Sequence, residues 1–126
     1  MKKNFKYLCE LAEKLRSPEG CPWDREQTIA SMLRGIEEET AEVAEAIENG
    51  DHKNLKEELG DVLFQVVMIA QIAKEQGYFD IEEVVGMIAD KIVSRHTWVF
   101  GEDKAKNAEE AIKIWKKNKK KEKNNN

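Results

Sequence analysis

The chain has 126 residues, of which 40% are hydrophobic and 37% are charged, and its formal net charge is −4. This length and composition predict one globular domain with a modest core. The acidic balance argues against a nucleic-acid-binding protein, because such proteins usually carry a basic patch on the folded domain. Lysines do cluster near the end, where residues 121–126 are predicted to form a disordered tail after a domain over residues 1–120.

The sequence predicts neither secretion nor insertion into a membrane. Cys9 and Cys21 are too few for a disulfide framework and lack the spacing of a metal site. The longest strongly apolar run, residues 62–73, is too short to span a bilayer. The apolar residues near the N-terminus have amphipathic helical spacing, unlike the continuous apolar stretch of a signal peptide. We therefore expect a soluble, cytoplasmic protein with no membrane partner.

The apolar residues recur with a helical period, and convincing strand patterns are absent. Five helices are predicted, over residues 3–15, 28–48, 52–76, 81–95 and 108–120. Residues 17–24, which hold both prolines, and residues 96–106 are predicted loops. Asn49-Gly50 ends the second helix, and Asp51 is the predicted N-cap of the third. The expected fold class is all-α, a helical bundle built around an antiparallel helix hairpin.

The third predicted helix is apolar on every side over its second half. Leu59 and Leu63 belong to its predicted inner stripe, whereas Phe64, Val67 and Met68 cover other faces. A helix that is apolar all round is normally buried on all sides, and so small a protein cannot cover it alone. We therefore expect further helices from an oligomer partner, in a homodimer or a homotetramer.

Four acidic side chains of the second and third predicted helices are expected to face one point. Glu39 and Glu42 lie close to the apolar side of the second helix at 100° per residue. Glu58 and Asp61 lead into the apolar part of the third. In an antiparallel hairpin, Glu42 meets Glu58 and Glu39 meets Asp61, because the members of each pair are equally far from Gly50 in sequence. Carboxylates crowded at one point repel one another unless a cation lies between them.

The predicted cation is Mg²⁺, with Mn²⁺ as a substitute, because oxygen-only ligand sets suit hard ions. Zinc is disfavoured by the lack of a Cys/His cluster, and a di-iron bundle would require Glu-x-x-His pairs. The alternative is that the four acids are simply solvated. Acid-rich helices are common, and Glu-x-x-Glu has little specificity by itself.

Four segments in the same order resemble the MazG-type nucleoside triphosphate pyrophosphohydrolases, an all-α family. The family pattern E-E-x-x-E, followed at a distance by E-x-x-D, is matched by residues 38–42 and 58–61. The four segments are the opening one over 15–28, the helix over 57–67, which contains the second of these motifs, the K-x-x-x-R-H-P-H-V-F-G segment over 91–101 and the closing helix over 108–123. Ser94, Thr97 and Trp98 depart from the pattern, which leaves the nucleotide preference open.

The resemblance implies hydrolysis of ribo- or deoxynucleoside triphosphates between the α and β phosphates, which would clear unwanted nucleotides. The products would be the nucleoside monophosphate and pyrophosphate. The implied Mg²⁺ ligands are Glu39, Glu42, Glu58 and Asp61. Glu38, the least committed acid of the motif, is the candidate general base or water-orienting group. The alternative from another class is a non-catalytic helical module that dimerises or binds a partner.

Four further residues are candidates for binding the substrate. Lys91 and Arg95 lie four residues apart on one helix face and would neutralise the triphosphate, the alternative being a surface pair. Trp115 would stack on the nucleotide base, or else pack against neighbouring apolar residues. Trp23 would form a wall of the pocket, or else anchor its loop.

Overall fold

The structure, a computed structural model, describes residues 2–124, and within that range it contains seven helices and no strand. The helices are α1 (Phe5–Leu15), α2 (Pro22–Glu26), α3 (Met32–Glu48), α4 (His52–Glu75), α5 (Ile81–Arg95), α6 (Thr97–Phe100) and α7 (Ala108–Asn124). The all-α class is confirmed. None of these helices is both long and apolar enough to cross a bilayer. The chain divides into two compact units, with the boundary between Ile81 and Glu82.

The helix α3 begins at Met32, later than its predicted start at Thr28. Residues 28–31 form a turn in which the two hydroxyl side chains bind the backbone. The Thr28 amide donates to Ser31 Oγ at 2.8 Å, and the Ser31 amide donates to Thr28 Oγ1 at 3.0 Å. Such local side-chain bonds compete with helical backbone bonds, which explains the later start.

A short helix begins within each predicted loop. The helix α2 begins at Pro22, a favoured first helical residue because its missing amide needs no partner there. The helix α6 follows His96 directly. Prolines and glycines therefore marked where the long helices stop, but they did not exclude a single helical turn within the connection.

The last helix is longer than predicted. Residues 121–124, which were assigned to the disordered tail, form the end of α7, and residues 125 and 126 of that tail lie outside the described residues. Asn107 caps the start, where its Oδ1 accepts from the Glu110 amide at 2.9 Å. Lysines in the last turn suit the negative end of the helix dipole, which favours continuation of the helix.

The helices α3 and α4 form the antiparallel hairpin that the sequence predicts. Gly50 in the turn has a φ of 60°, a conformation that glycine adopts without steric cost. Asp51 caps α4, since its Oδ1 accepts from the Asn54 amide at 3.1 Å. The turn fixes the register, so residues equally far from Gly50 in sequence lie opposite each other.

The core of the first unit lies between α1, α3 and α4. Its buried members are Ala12, Met32, Val67, Met68 and Ile72, with Leu8, Cys9, Leu15, Phe64, Ile69 and Ile81 packed around them. Met32 and Met68 are equally far from Gly50, so the register set by the turn extends into the core. The core therefore holds the hairpin at the end away from the turn.

The predicted inner stripe of α4 is partly wrong. Leu59 is 52% exposed and Leu63 is 42% exposed, whereas Val67 and Met68, assigned to other faces, are buried. The helix carries apolar residues on more than one face, and periodicity alone does not say which face the chain itself covers. Packing against α1 and α3 determines which face of α4 is buried within the chain.

Candidate metal centre

Four carboxylates from α3 and α4 converge on one point. Glu39, Glu42, Glu58 and Asp61 each place an oxygen within 4.8 Å of the oxygens of the others. Each helix supplies two acids three residues apart, hence on the same face. The hairpin register brings the two faces together, as the equal spacing about Gly50 predicts.

Two of the four carboxylates turn into the protein. Glu39 and Glu58 are half-buried, while Glu42 and Asp61 are exposed. The Oε2 atoms of Glu39 and Glu58 are enclosed, and no residue between 2 and 124 donates a hydrogen bond to them. Enclosed carboxylate oxygens without a donor are costly, so the cluster has acceptor capacity that these residues do not satisfy.

Burial and the crowding of the acids raise two pKa values. The pKa of Glu58 rises to about 7, first through a hydrogen bond with Glu42, then through burial and the charges of Glu42, Asp61 and Glu39. Burial is the main cause that raises the pKa of Glu39, followed by the charge of Glu42. Each ionised carboxylate opposes the ionisation of its neighbours, and a cation among them would have the reverse effect.

The arrangement fits a divalent cation. The donor set is oxygen only, and among the described residues no histidine or cysteine joins it. Hard cations prefer such ligands, whereas zinc sites usually include nitrogen or sulfur. The two enclosed oxygens add acceptor capacity that a divalent cation would use.

Glu38 lies outside the group of four. Its carboxylate forms an ion pair with Arg34, one turn earlier on α3, at 3.3 Å from Nε, and both side chains are largely exposed. Glu38 instead belongs to the rim of a cavity of about 240 Å³. The cavity lies on the side of the four acids that is away from the turn at Gly50.

The cavity has an apolar floor and a polar rim. Residues that line it are Trp23, Asp24, Gln27, Ser31, Met32, Arg34, Gly35, Glu38, Phe64, Gln65 and Met68. Trp23 is 68% exposed, so most of its ring is available to a bound molecule. The structure thus brings Trp23 and Glu38 to one cavity. It also adds Gln65, which was not among the predicted site residues.

Arg16 fixes the segment that carries Trp23. Its Nη1 donates to the carbonyl oxygens of Asp24 at 2.5 Å and Gln27 at 2.8 Å. Its Nε and Nη2 bind the Glu75 carboxylate at 3.1 and 2.6 Å, and this hydrogen bonding holds the pKa of Glu75 below its ordinary value. Sequence reasoning missed Arg16, because Glu75 is 59 residues away along the chain.

The other predicted site residues lie in the second unit. Arg95 binds Glu122 through Nε at 3.0 Å, and its side chain is 16% exposed. Its guanidinium carbon lies 5.8 Å from the centre of the Trp115 ring, and Lys119 Nζ lies 5.1 Å from the same point. Arg95 and Trp115 therefore form one cluster, while Lys91 is exposed.

Two departures from the family pattern have structural partners in this unit. Ser94 donates a hydrogen bond to Glu122. Thr97 donates to Asp103 Oδ2 at 2.6 Å and accepts from Asn118 Nδ2 at 3.0 Å. The hydrogen bond from Ser94 is also the first cause that lowers the pKa of Glu122. These polar side chains tie the region around α6 to α7.

Comparison with known proteins places these features in a family. Residues 27–100 match the MazG nucleotide pyrophosphohydrolase domain. The chain is 46% identical over 109 residues to a nucleoside triphosphate pyrophosphohydrolase of Escherichia coli K12, which covers 86% of this chain and 41% of that protein. It is 48% identical over 119 residues to the nucleoside triphosphate pyrophosphohydrolase/pyrophosphatase MazG of Thermotoga maritima, covering 93% and 47%.

A solved structure is similar as well. The crystal structure of a mazG-related protein from Thermotoga maritima superposes with a TM-score of 0.75 at 38% identity, covering 91% of this chain and 98% of that one. By contrast, the chain spans less than half the length of the two curated relatives named above. The matched residues include the hairpin and all four converging acids. The chain therefore belongs to the MazG nucleotide pyrophosphohydrolase domain family.

Proposed function

We propose that this chain hydrolyses nucleoside triphosphates between the α and β phosphates, with Mg²⁺ as the cofactor and Mn²⁺ as a substitute. The products are the nucleoside monophosphate and pyrophosphate. The convergence of four carboxylates across the hairpin is the observation that carries the proposal. The names of the relatives from Escherichia coli and Thermotoga maritima support the same reaction class.

The four converging carboxylates of Glu39, Glu42, Glu58 and Asp61 would hold the metal. When bound, the ion supplies positive charge that neutralises phosphate oxygens and polarises the reacting phosphorus. The half-buried acids, Glu39 and Glu58, would fix its position, because each has an enclosed oxygen that lacks a donor. The exposed acids, Glu42 and Asp61, leave the substrate side of the site open.

Glu38 would orient the attacking water or accept its proton. Its only ion pair within the described residues is the exposed one with Arg34. Exposed pairs of this kind contribute little to stability, so little free energy is lost when the Glu38 carboxylate turns toward a water molecule. Its place on the cavity rim suits that role.

Four further residues are proposed to contact the substrate. Trp23 would form a wall for the nucleoside part of the substrate, and Trp115 would stack on a base. Lys91 and Arg95 would neutralise the triphosphate. Because Glu122 binds Arg95 through Nε, the terminal nitrogens are the part of the guanidinium that we propose for phosphate.

We also propose that the chain acts as a homo-oligomer, at least a dimer. No residue between 82 and 124 is buried within the chain. Apolar side chains of α5 are exposed there, among them Met87 at 64% and Ile88 at 52%. In the first unit, Phe5, Leu11 and Leu63 line an apolar groove. Exposed apolar side chains grouped in this way are typical of an interaction site, and a second copy would cover them.

Substitution of the converging acids tests the reaction. We expect Glu39→Gln and Asp61→Asn each to lower pyrophosphate release by at least about a hundredfold, because each removes a charge that would hold the metal. The measurement is release of pyrophosphate and of orthophosphate, quantified separately, from a panel of nucleoside triphosphates with Mg²⁺. Circular dichroism checks that the helix content is unchanged.

Glu45→Gln is the matched control, since Glu45 is an exposed acid of α3 outside the cluster. It should retain full turnover. Full turnover in Glu39→Gln and Asp61→Asn as well would remove these acids from the mechanism. Orthophosphate as the direct product would place the cleavage at another bond. A folded wild-type chain that hydrolyses no triphosphate would favour the non-catalytic helical module.

A further inference from the structure

Gln65 lines the cavity beside the four acids, and the oxygen of its amide lacks a donor. Oε1 of Gln65 is enclosed, and no residue of the described part of the chain donates a hydrogen bond to it. The side chain lines the cavity together with Phe64 and Met68. A buried carbonyl oxygen without a donor costs free energy, so its position calls for a partner from outside the protein.

Gly35, opposite Gln65 on α3, leaves the space in which this amide lies. A Cβ atom at Gly35 would be 2.7 Å from Oε1 of Gln65 and 3.3 Å from its Cδ. Any larger residue would therefore displace the amide. Glycine within a helix lowers stability relative to alanine, and here the room it provides is taken up by a polar group.

The Gly35–Gln65 pair lies one helical turn farther from Gly50 than the pair Glu39 and Asp61. In a nucleotide, the sugar follows the α-phosphate and the base follows the sugar. A substrate whose α-phosphate reacts at the four acids, with its nucleoside extending away from the turn, would enter this cavity. A phosphate oxygen cannot donate a hydrogen bond to Oε1, whereas a sugar hydroxyl or a base N–H group can.

We propose that Gln65, in the space left by Gly35, accepts a hydrogen bond from the nucleoside part of the substrate and so determines which nucleoside triphosphate is preferred. This inference rests on the proposed function, because the four acids locate the α-phosphate. A site that pairs a buried polar group with its substrate strongly rejects an analogue that lacks the donor. The neighbouring apolar floor could not discriminate in this way.

Gln65→Met tests the proposal, since methionine keeps the length of the side chain and removes its polar end. The substrates are the best natural triphosphate, its 2′-deoxy and 3′-deoxy forms, and an analogue whose base lacks the N–H donor. In the wild type, kcat/KM should fall about tenfold or more for one of these analogues. In Gln65→Met, that analogue and the natural substrate should differ by less than about threefold.

The analogue that the wild type rejects identifies the donor as a sugar hydroxyl or a base N–H. The melting temperature of Gln65→Met should be unchanged or raised, because the substitution removes an acceptor that has no partner in the free protein. A purely structural role for Gln65 would instead lower the melting temperature. This readout separates recognition from folding.

Two more variants complete the test. Gly35→Ala should move the Gln65 amide and weaken discrimination in the same way, although alanine favours the helix. Gln71→Met is the matched control, because the Gln71 amide donates to Glu75 Oε2 at 3.2 Å and does not line the cavity. It should leave discrimination unchanged.

Three outcomes would overturn the inference while the proposed function stands. They are full discrimination in Gln65→Met, an equal loss of kcat/KM for every substrate, and a wild type that treats all analogues alike. If the wild type releases no pyrophosphate from any triphosphate, the proposed function fails and the inference fails with it.

Discussion

Glu58 lies close to three other carboxylates, two of them across the hairpin, and its raised pKa makes stability depend on pH. With a pKa of about 7 in the folded chain, Glu58 holds its proton where the unfolded chain has lost it. Stability that depends on this proton is fully present below the ordinary carboxyl pKa and is lost as pH rises through about 7. Without a metal, the free energy of unfolding should therefore fall over that window.

Melting temperatures measured in a chelator across this pH range check the prediction. Glu58→Gln should flatten the fall, because the glutamine cannot ionise. Added Mg²⁺ should raise the melting temperature of the wild type mainly at the alkaline end, where the carboxylates are ionised and can bind it. The assignment would be contradicted if, between weakly acidic and neutral pH, the wild type lost no more stability than Glu58→Gln.

The sequence predicted the positions of some residues of the site but not of others. The four acids were found because their spacing about Gly50 is symmetric and the hairpin preserves that symmetry. Glu38 is adjacent in sequence but lies on the cavity rim with Arg34. Gln65 carries no sequence signal of this kind, because only the close approach of Gly35 shows that its amide is enclosed.

At the scale of elements, the connection between α1 and α3 depends on one arginine. Arg16 joins α1 to the carbonyls of α2 and its C-cap and to Glu75 at the end of α4. Its side chain is only 8% exposed. Arg16→Ala should lower the free energy of unfolding by about 3 kcal/mol, because it removes the guanidinium that binds the Glu75 carboxylate and donates to two carbonyls.

Urea unfolding measures this loss. Arg34→Ala is the control, since Arg34 also pairs with a glutamate but is 90% exposed. Its effect should stay within about 0.5 kcal/mol. Equal and small effects of the two substitutions would show that Arg16 does not hold the connection.

The long helices were predictable because the apolar period, the capping residues and the glycines indicate nearly the same helices. Asp51 and Gly50 fix the turn and the start of α4. The short helices α2 and α6 and the late start of α3 were missed, since they depend on local hydrogen bonds such as those between Thr28 and Ser31. An apolar period cannot be recognised in a segment that is only about one helical turn long.

At the scale of the whole molecule, the exposed apolar surface predicts self-association. Light scattering coupled to size-exclusion chromatography should give a mass of at least twice the 14.5 kDa of one chain. Leu63→Lys should shift the protein toward the monomer, because it places a charge in the apolar groove beside Phe5 and Leu11. Glu45→Lys, an exposed change on α3, should leave the mass unchanged. A wild type that is monomeric at micromolar concentration would contradict the prediction.

The sequence by itself determined the all-α class, the hairpin and the meeting of four acids, because helical period, caps and equal spacing about one glycine are local or one-dimensional properties. Tertiary structure alone decided which faces of α4 are buried, how Arg16 reaches Glu75, and that Gln65 lies enclosed against Gly35. Those features depend on contacts between residues far apart in the chain. Such contacts follow from how side chains fill space, which no spacing along the sequence encodes.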